Sequence, residues 1–237
     1  MKRVSVSIFL VPNEILLKSR FNTNLAEHLS GFIISKNGHI LTCSHCIQGN
    51  DQTVLVKLAY EDDLRVATVR YDEPASDVAI IQLEELDEYQ EYDFCKFGNE
   101  GHIRKGMDVF SNSNPHGYGF SFLRGQVSLP CVLFGDTPVG ENFGGDWDEK
   151  LTHAKDVPLI RVTNLYSYEG ASVGPLFDWK GMVIGMISFG MDEVADFPGH
   201  VMRLCEICQR LKLIKLTKKR KRKQRLPKKR KKSRRQS

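Results

Sequence analysis

Short apolar, β-branched runs separated by polar turns fill the first 83 residues, and no helical period appears among them. Two of these runs flank Asn37-Gly38, a dipeptide typical of tight hairpin turns. The runs that we interpret as strands are residues 4–11, 31–36, 39–42, 53–58, 64–71 and 77–83, with an irregular segment expected over residues 13–30. This pattern predicts an antiparallel barrel or sandwich.

The second half of the chain repeats this β character and then changes period. Further strands are predicted at residues 107–111, 120–129, 159–164 and 182–189. After residue 200, apolar side chains recur at helical spacing, namely Val201, Leu204, Ile207, Cys208, Leu211 and Ile214. We therefore expect a C-terminal amphipathic helix over about 200–215 that docks on the body.

The charge of the chain is divided sharply between a body and a tail. Residues 212–237 hold 16 of the 34 lysines and arginines and no acidic residue, so the remainder carries 18 basic and 29 acidic side chains, a net charge of −11. After residue 216 the chain has many like charges and no apolar pattern, so this part cannot pack. We expect residues 217–237 to be a disordered basic tail.

Six cysteines and no secretory signal pattern indicate free thiols in a reducing compartment. Two pairs, Cys43-x-x-Cys46 and Cys205-x-x-Cys208, have the spacing of zinc ligands, but they are far apart and lack glycine-turn knuckles. Buried structural thiols are the favoured interpretation, and no metal or cofactor is expected. No run of about 18 apolar residues is present, so no membrane-spanning helix is expected.

A serine between glycines is the clearest candidate for chemistry. Ser172 lies between Gly170 and Gly174, ahead of an apolar run. A serine becomes a nucleophile when a base takes its proton and backbone N–H groups face the developing oxyanion. The loop also fits the nucleophile elbow of α/β-hydrolases, but that fold requires its acid and histidine after the serine, within alternating strands and helices.

The partners that Ser172 would need occur earlier in the chain. His45 follows one predicted strand and Asp77 opens another, so each is a polar residue at the edge of an apolar run. Taken alone, His45 would be a core histidine and Asp77 a strand cap. Together with Ser172 they supply a base, an orienting carboxylate and a nucleophile.

Three ordered motifs resemble those of the trypsin-like, chymotrypsin-fold serine peptidases, and most closely the HtrA/Deg branch without a PDZ domain. Residues 31–45 (GFIISKNGHILTCSH) resemble its histidine motif, and residues 76–81 (SDVAII) its aspartate motif. Residues 170–176 (GASVGPL) resemble its serine motif, continued by residues 181–185 and 188–190. The resemblance covers about residues 4–211.

The resemblance implies an all-β fold with two antiparallel six-stranded β-barrels and a cleft between them. Within a peptidase domain over residues 1–216, the first barrel would span about 1–90 and the second about 104–200. It also implies peptide-bond hydrolysis through an acyl-enzyme. His45 would be the general base, Asp77 its orienting partner and Ser172 the nucleophile, with the N–H groups of Gly170 and Ser172 forming the oxyanion hole.

Substrate binding is implied at a second set of positions. By resemblance, Ser188, Phe189 and Gly190 would pair with the substrate backbone. Gly190 and Gly199 would flank the specificity pocket, with Tyr166 near its floor. No acid stands there, so we expect an apolar or small residue before the scissile bond.

Two residues beside the nucleophile depart from the family pattern. The family usually has glycine at the position of Val173 and a polar residue at that of Ala171. Because valine is stiff at χ1, a positive φ at residue 173 would strain the loop. The alternative to an enzyme is therefore a protease-like scaffold that binds peptides or nuclear partners without efficient catalysis.

The basic tail suggests a location in the cell. It has two basic clusters, residues 218–223 and 228–232, so the basic region runs from Lys218 to Lys232. Such paired clusters are typical of a nuclear localisation signal, which the nuclear import machinery binds. No aromatic residue is interleaved to stack bases, so sequence-specific nucleic-acid binding is not expected. Non-specific nucleic-acid binding and nucleolar retention through the charge of RNA are secondary expectations. We expect a nuclear protein, otherwise cytoplasmic, with protein or peptide substrates and no membrane partner.

Overall fold

The computed structural model describes residues 2–13, 27–47, 52–74, 77–84, 91–115, 118–133, 136, 158–165, 173–189 and 199–203. The chain divides into a unit over residues 1–204 and another over 205–237, and all described residues belong to the first. None of the helices in the described ranges is long and apolar enough to cross a membrane.

Six strands in the first part of the chain close into an antiparallel barrel with the order β1-β2-β3-β6-β5-β4. They are β1 (Ser5–Pro12), β2 (Glu27–Ile33), β3 (His39–Thr42), β4 (Gln52–Leu58), β5 (Leu64–Glu73) and β6 (Val78–Leu83). The β2–β3 hairpin turns at Gly38, whose φ of 69° suits glycine. The barrel is filled by buried aliphatic side chains that include Ile8, Ile33, Ile40 and Ile81.

A second closed antiparallel barrel follows, in the order β10-β11-β12-β9-β8-β7. Its strands are β7 (Asp108–Ser113), β8 (Ser121–Leu133), β9 (Pro158–Thr163), β10 (Pro175–Phe177), β11 (Val183–Phe189) and β12 (Gly199–Arg203). Val109, Val162, Leu176 and Ile187 are among its buried core residues. The expected pair of six-stranded barrels is confirmed.

The helix predicted over 200–215 is wrong at its start, because residues 200–203 belong to β12. This strand pairs with β9 on one side and β11 on the other, for example Val201 with Ile160 and with Ile187. Helix in this segment would leave both of those strand edges unpaired, so the barrel overrides the local helical spacing. Residues 204–237, which include the rest of that helix and the tail, lie outside the described ranges.

Two further differences concern the start of β2 and the presence of β10. The segment expected to be irregular up to residue 30 enters β2 at Glu27, where pairing with β1 satisfies its backbone although its side chains do not alternate. The short strand β10 was not predicted, because three residues are too few to show a period.

A buried asparagine joins the two barrels. Asn114, just after β7, is 1 % exposed. Its Nδ2 donates to the carbonyls of Val6 and Leu29 (3.2 Å each) and to Ser30 Oγ (3.1 Å) of the first barrel. Its Oδ1 accepts a hydrogen bond from Ser7 Oγ at 2.8 Å. These bonds fix the seam between β1, β2 and β7.

Candidate active site

Strand pairing brings two of the predicted catalytic residues to one end of the first barrel. In the antiparallel β3–β6 ladder, Thr42 at the end of β3 faces Ala79 near the start of β6. Three residues after Thr42 the chain turns into a 3-10 helix at His45, and two residues before Ala79 it passes through Asp77. The ladder register therefore places both side chains at the same edge.

The Asp77 carboxylate holds His45 at two points. Its oxygens lie 2.8 Å from the ring Nδ1 of His45, and Oδ1 also accepts the backbone N–H of His45 at 3.0 Å. The Asp77 side chain is 7 % exposed and the His45 side chain 28 % exposed. The carboxylate is thus buried, whereas the imidazole is partly accessible.

The backbone of Asp77 adopts a conformation that aspartate tolerates better than most residues. Its φ is 50°, and its N–H donates to the carbonyl of Pro74 at 3.0 Å to close a turn. This turn points the carboxylate toward His45 and not along β6.

The contact determines which nitrogen of His45 can act as a base. A carboxylate only accepts hydrogen bonds, so Nδ1 must carry the hydrogen in this arrangement. The neutral ring then has an unprotonated Nε2, which can remove a proton from a hydroxyl group. When Nε2 takes that proton, the adjacent carboxylate stabilises the imidazolium.

The residues that follow Ser172 are held by β11. The N–H of Val173 donates to the carbonyl of Ile187 at 2.7 Å, and the N–H of Ile187 donates to the carbonyl of Gly174 at 2.9 Å. Val173 is fully buried and has a φ of 73°. Val173 therefore has the positive φ that we expected to strain the loop.

Several of the predicted site residues cannot be placed. Ser172, Gly170, Tyr166 and Gly190 lie outside the described residues, so the contact between Ser172 and His45 stays a prediction.

The backbone of three other predicted substrate-binding positions, Ser188, Phe189 and Gly199, lies within the described residues. Ser188 and Phe189 end β11, and Gly199 begins the neighbouring strand β12. Phe189 pairs with His200, so the end of β11 lies beside the start of β12. This places the two predicted substrate-binding segments next to each other.

A cysteine that the sequence did not connect with catalysis lies beside the His–Asp pair. Cys43 Sγ, one ring nitrogen of His45 and one carboxylate oxygen of Asp77 all lie within 4.8 Å of one another. Cys43 is fully buried and not in a disulfide. The i, i+2 spacing of Cys43 and His45 was visible in the sequence, but their nearness to Asp77 depends on the β3–β6 register.

The other described thiols divide between the interior and the surface. Cys95 is buried, whereas Cys131 is exposed. The register shifts of β8 around Leu129 reverse the alternation that buries Gly125 and Val127, so Cys131 faces outward. The antiparallel barrels also exclude the α/β-hydrolase alternative.

Two closed β-barrels with a His–Asp pair at the edge of the first define the class of trypsin-like peptidases. The trypsin-like peptidase domain family matches residues 29–186, a span that includes His45, Asp77 and Ser172. The chain therefore belongs to the trypsin-like peptidase family.

Curated relatives confirm the resemblance to the HtrA/Deg branch. The chain is 31% identical over 159 residues to a probable periplasmic serine endoprotease, DegP-like, of Pseudomonas fulva, a match that covers 67% of this chain and 28% of that protein. A DegP-like relative from Hahella chejuensis is 30% identical over 159 residues, covering 67% of this chain and 29% of its own. The chain thus spans less than a third of the length of these relatives.

Solved structures support the same fold. The active form of the Rv3671c protease from M. tuberculosis superposes with a TM-score of 0.66 at 20% identity, covering 89% of this chain and 80% of that one. The HtrA-type protease AlgW with a tripeptide gives a TM-score of 0.61 at 20% identity, covering 85% and 56% of the two chains. At this identity the likeness establishes the architecture.

Proposed function

We propose that the chain is a serine endopeptidase that cleaves peptide bonds through a Ser-His-Asp triad and an acyl-enzyme. The observation that carries the proposal is the 2.8 Å contact between His45 Nδ1 and the buried Asp77 carboxylate. It is found in a chain of the trypsin-like peptidase family, at positions within the matched span.

In the proposed reaction, Nε2 of His45 takes the hydroxyl proton of Ser172 as the oxygen attacks the substrate carbonyl. The N–H groups of Gly170 and Ser172 stabilise the oxyanion of the tetrahedral intermediate. His45 then protonates the leaving amine, which departs and leaves an ester on Ser172. Water, deprotonated by His45, hydrolyses that ester and restores the serine.

Substrate selection is proposed for the second barrel. The backbone at Ser188, Phe189 and Gly190 would pair with the substrate strand, as an added strand at a sheet edge. Gly190 and Gly199 would flank the pocket for the residue before the scissile bond, with Tyr166 near its floor. We expect an apolar or small residue to be preferred there.

The triad is tested by steady-state kinetics of Asp77→Asn on a peptide substrate. The amide has the size of the carboxylate, but it can turn its NH₂ toward Nδ1 and favour the tautomer whose Nε2 cannot accept a proton. We expect kcat to fall by about four orders of magnitude with a much smaller change in KM. The matched control is Asp93→Asn, which removes an exposed carboxylate paired with Arg3. Undiminished kcat in a folded Asp77→Asn protein would contradict the proposed mechanism.

The alternative is a peptide-binding scaffold with weak catalysis, and Val173 favours it. A buried β-branched residue at a φ of 73° is strained, and it directly follows the proposed nucleophile. The two candidates separate in one experiment. A scaffold would bind peptides with the same affinity in wild type and Ser172→Ala and would cleave them in neither.

We further propose that residues 218–232 direct the chain to the nucleus. This proposal rests on composition, because the tail is rich in lysine and arginine and the remainder is acidic. A fluorescent fusion lacking residues 218–237 should lose nuclear accumulation, whereas a charge-preserving scramble of the two clusters tests whether charge alone suffices. Unchanged accumulation after the deletion would refute the proposal.

Salt-sensitive, sequence-independent RNA binding by the same tail would explain nucleolar retention.

A further inference from the structure

Three different metal-binding side chains meet at the proposed base. The thiol of Cys43, the imidazole of His45 and the carboxylate of Asp77 each present one donor atom within 4.8 Å of the other two. Cys43 is 0 % exposed and Asp77 6 % exposed, so two of the three donors are in the interior. The His45 side chain is 28 % exposed, so the third donor is partly accessible.

This donor set suits one class of ion. Thiolate and imidazole together favour zinc over hard cations such as magnesium or calcium, and a carboxylate is a common third zinc ligand. We propose that Cys43, His45 and Asp77 form a regulatory Zn²⁺ site that reversibly switches off the histidine base.

The geometry requires only small movements of the side chains. Zinc bonds of about 2.0–2.3 Å in a tetrahedral arrangement place the donors roughly 3.3–3.7 Å apart. The widest separation must therefore shrink by about 1 Å, and the 2.8 Å gap between Nδ1 and the carboxylate must open by about 0.5 Å. A water or a substrate group would complete the fourth position.

The chemical consequence follows from where the ion sits. Zn²⁺ displaces the thiol proton of Cys43 to solvent and takes the carboxylate of Asp77 as a ligand, while the ring proton of His45 moves from Nδ1 to Nε2 so that the neutral imidazole binds through Nδ1. With Nδ1 bound to the ion, Nε2 carries the proton of the neutral ring and has no lone pair with which to accept another. His45 cannot act as a general base while the ion is bound, and a chelator restores it. This consequence rests on the proposed function, whereas the binding itself does not.

The binding test uses Zn²⁺ and Cd²⁺ on the reduced, full-length chain. Zinc affinity is measured by competition with a chromophoric chelator, and Cd²⁺ reports thiolate ligation through its ultraviolet charge-transfer band. We expect one zinc ion fewer, or an affinity at least about 100-fold lower, in Cys43→Ala and in Asp77→Asn than in wild type. Cys95→Ala, which removes a buried thiol outside the cluster, and Cys131→Ala should match wild type.

Two results would overturn the proposal. One is equal zinc uptake by wild type and Cys43→Ala, which would place the ion on other cysteines. The other is no zinc uptake by wild type. Circular dichroism checks that each variant is folded, and Cys43→Ser, which keeps the side-chain volume, decides if Cys43→Ala does not fold.

A second readout connects binding with hydrolysis. The ratio of activity in zinc to activity in chelator is measured within each variant, so that basal differences cancel. We expect this ratio to be well below one in wild type and near one in Cys43→Ala, and inhibition of both to the same extent would contradict the regulatory role. If wild type shows no hydrolysis at all, the proposed function fails while the binding measurements still decide the site.

Discussion

Val173 gives the sharpest test of the nucleophile loop, because its backbone conformation opposes its side chain. Its φ is 73°, it is fully buried, and its N–H is held by the carbonyl of Ile187 at 2.7 Å. The left-handed conformation costs an L-residue about 1–2 kcal/mol, and glycine avoids that cost. Val173→Ala and Val173→Gly both remove the branched methyl groups, but only glycine also removes the strain.

The difference in stability between the alanine and glycine variants can be compared with the same difference at a matched position. Val109 in β7 is equally buried and is not among the positive-φ residues of the described chain. At Val109, glycine should be less stable than alanine by about 0.5–1 kcal/mol of backbone entropy plus about 0.8 kcal/mol for the buried methyl group. At Val173 the relief of strain offsets about 1–2 kcal/mol of that gap, which leaves alanine and glycine nearly equal.

The assay is urea unfolding of the four variants, compared as a difference of differences. The gap between alanine and glycine should be about 1–2 kcal/mol smaller at Val173 than at Val109. Equal gaps at the two positions, within about 0.5 kcal/mol, would refute the argument that the loop is strained. If that strain limits the oxyanion hole, Val173→Gly should also raise kcat by about fivefold to thirtyfold.

Two further predictions concern the second barrel and its seam with the first. Asn114→Ala should lower the free energy of unfolding by at least about 3 kcal/mol, because several buried groups lose their partner. The matched control Asn112→Ala should cost about 1 kcal/mol or less, since its buried Oδ1 has no hydrogen-bond partner within the described ranges. Hydrogen bonds from Gln126 and then Arg124 lower the pKa of Asp108 below its ordinary value of 3.8. The resulting stabilisation is present above that value and is lost as the pH falls through the folded value, so an NMR titration should show a higher pKa in Gln126→Ala.

The strands of both barrels could be predicted largely from local pattern. Alternating and β-branched runs gave the positions of β1, β4, β5 and β6, and Asn37-Gly38 gave the first hairpin. Strand β12 could not be predicted this way. Its residues fit a helical period equally well, and only the unpaired edges of β9 and β11 decide in favour of a strand.

The identities of the site residues could be predicted from the sequence, but most of their contacts could not. His45 and Asp77 could be named from the order of the motifs, but their contact required the register that sets Thr42 opposite Ala79. The sequence predicts strain at Val173 only if its φ is positive, and the structure shows that its φ is positive. The approach of Cys43 to the pair was not predictable, because it joins residues from two strands that only the folded barrel brings together.

Active-site labelling with a fluorophosphonate probe tests the central claim most directly. The probe reacts with a serine only when a base and an oxyanion hole activate it, so the wild-type chain should be labelled at Ser172. Ser172→Ala should show no labelling, and His45→Ala only a trace. Absence of labelling in folded wild-type protein, or labelling that persists in Ser172→Ala, would contradict the account of this chain as a serine peptidase acting through His45 and Asp77.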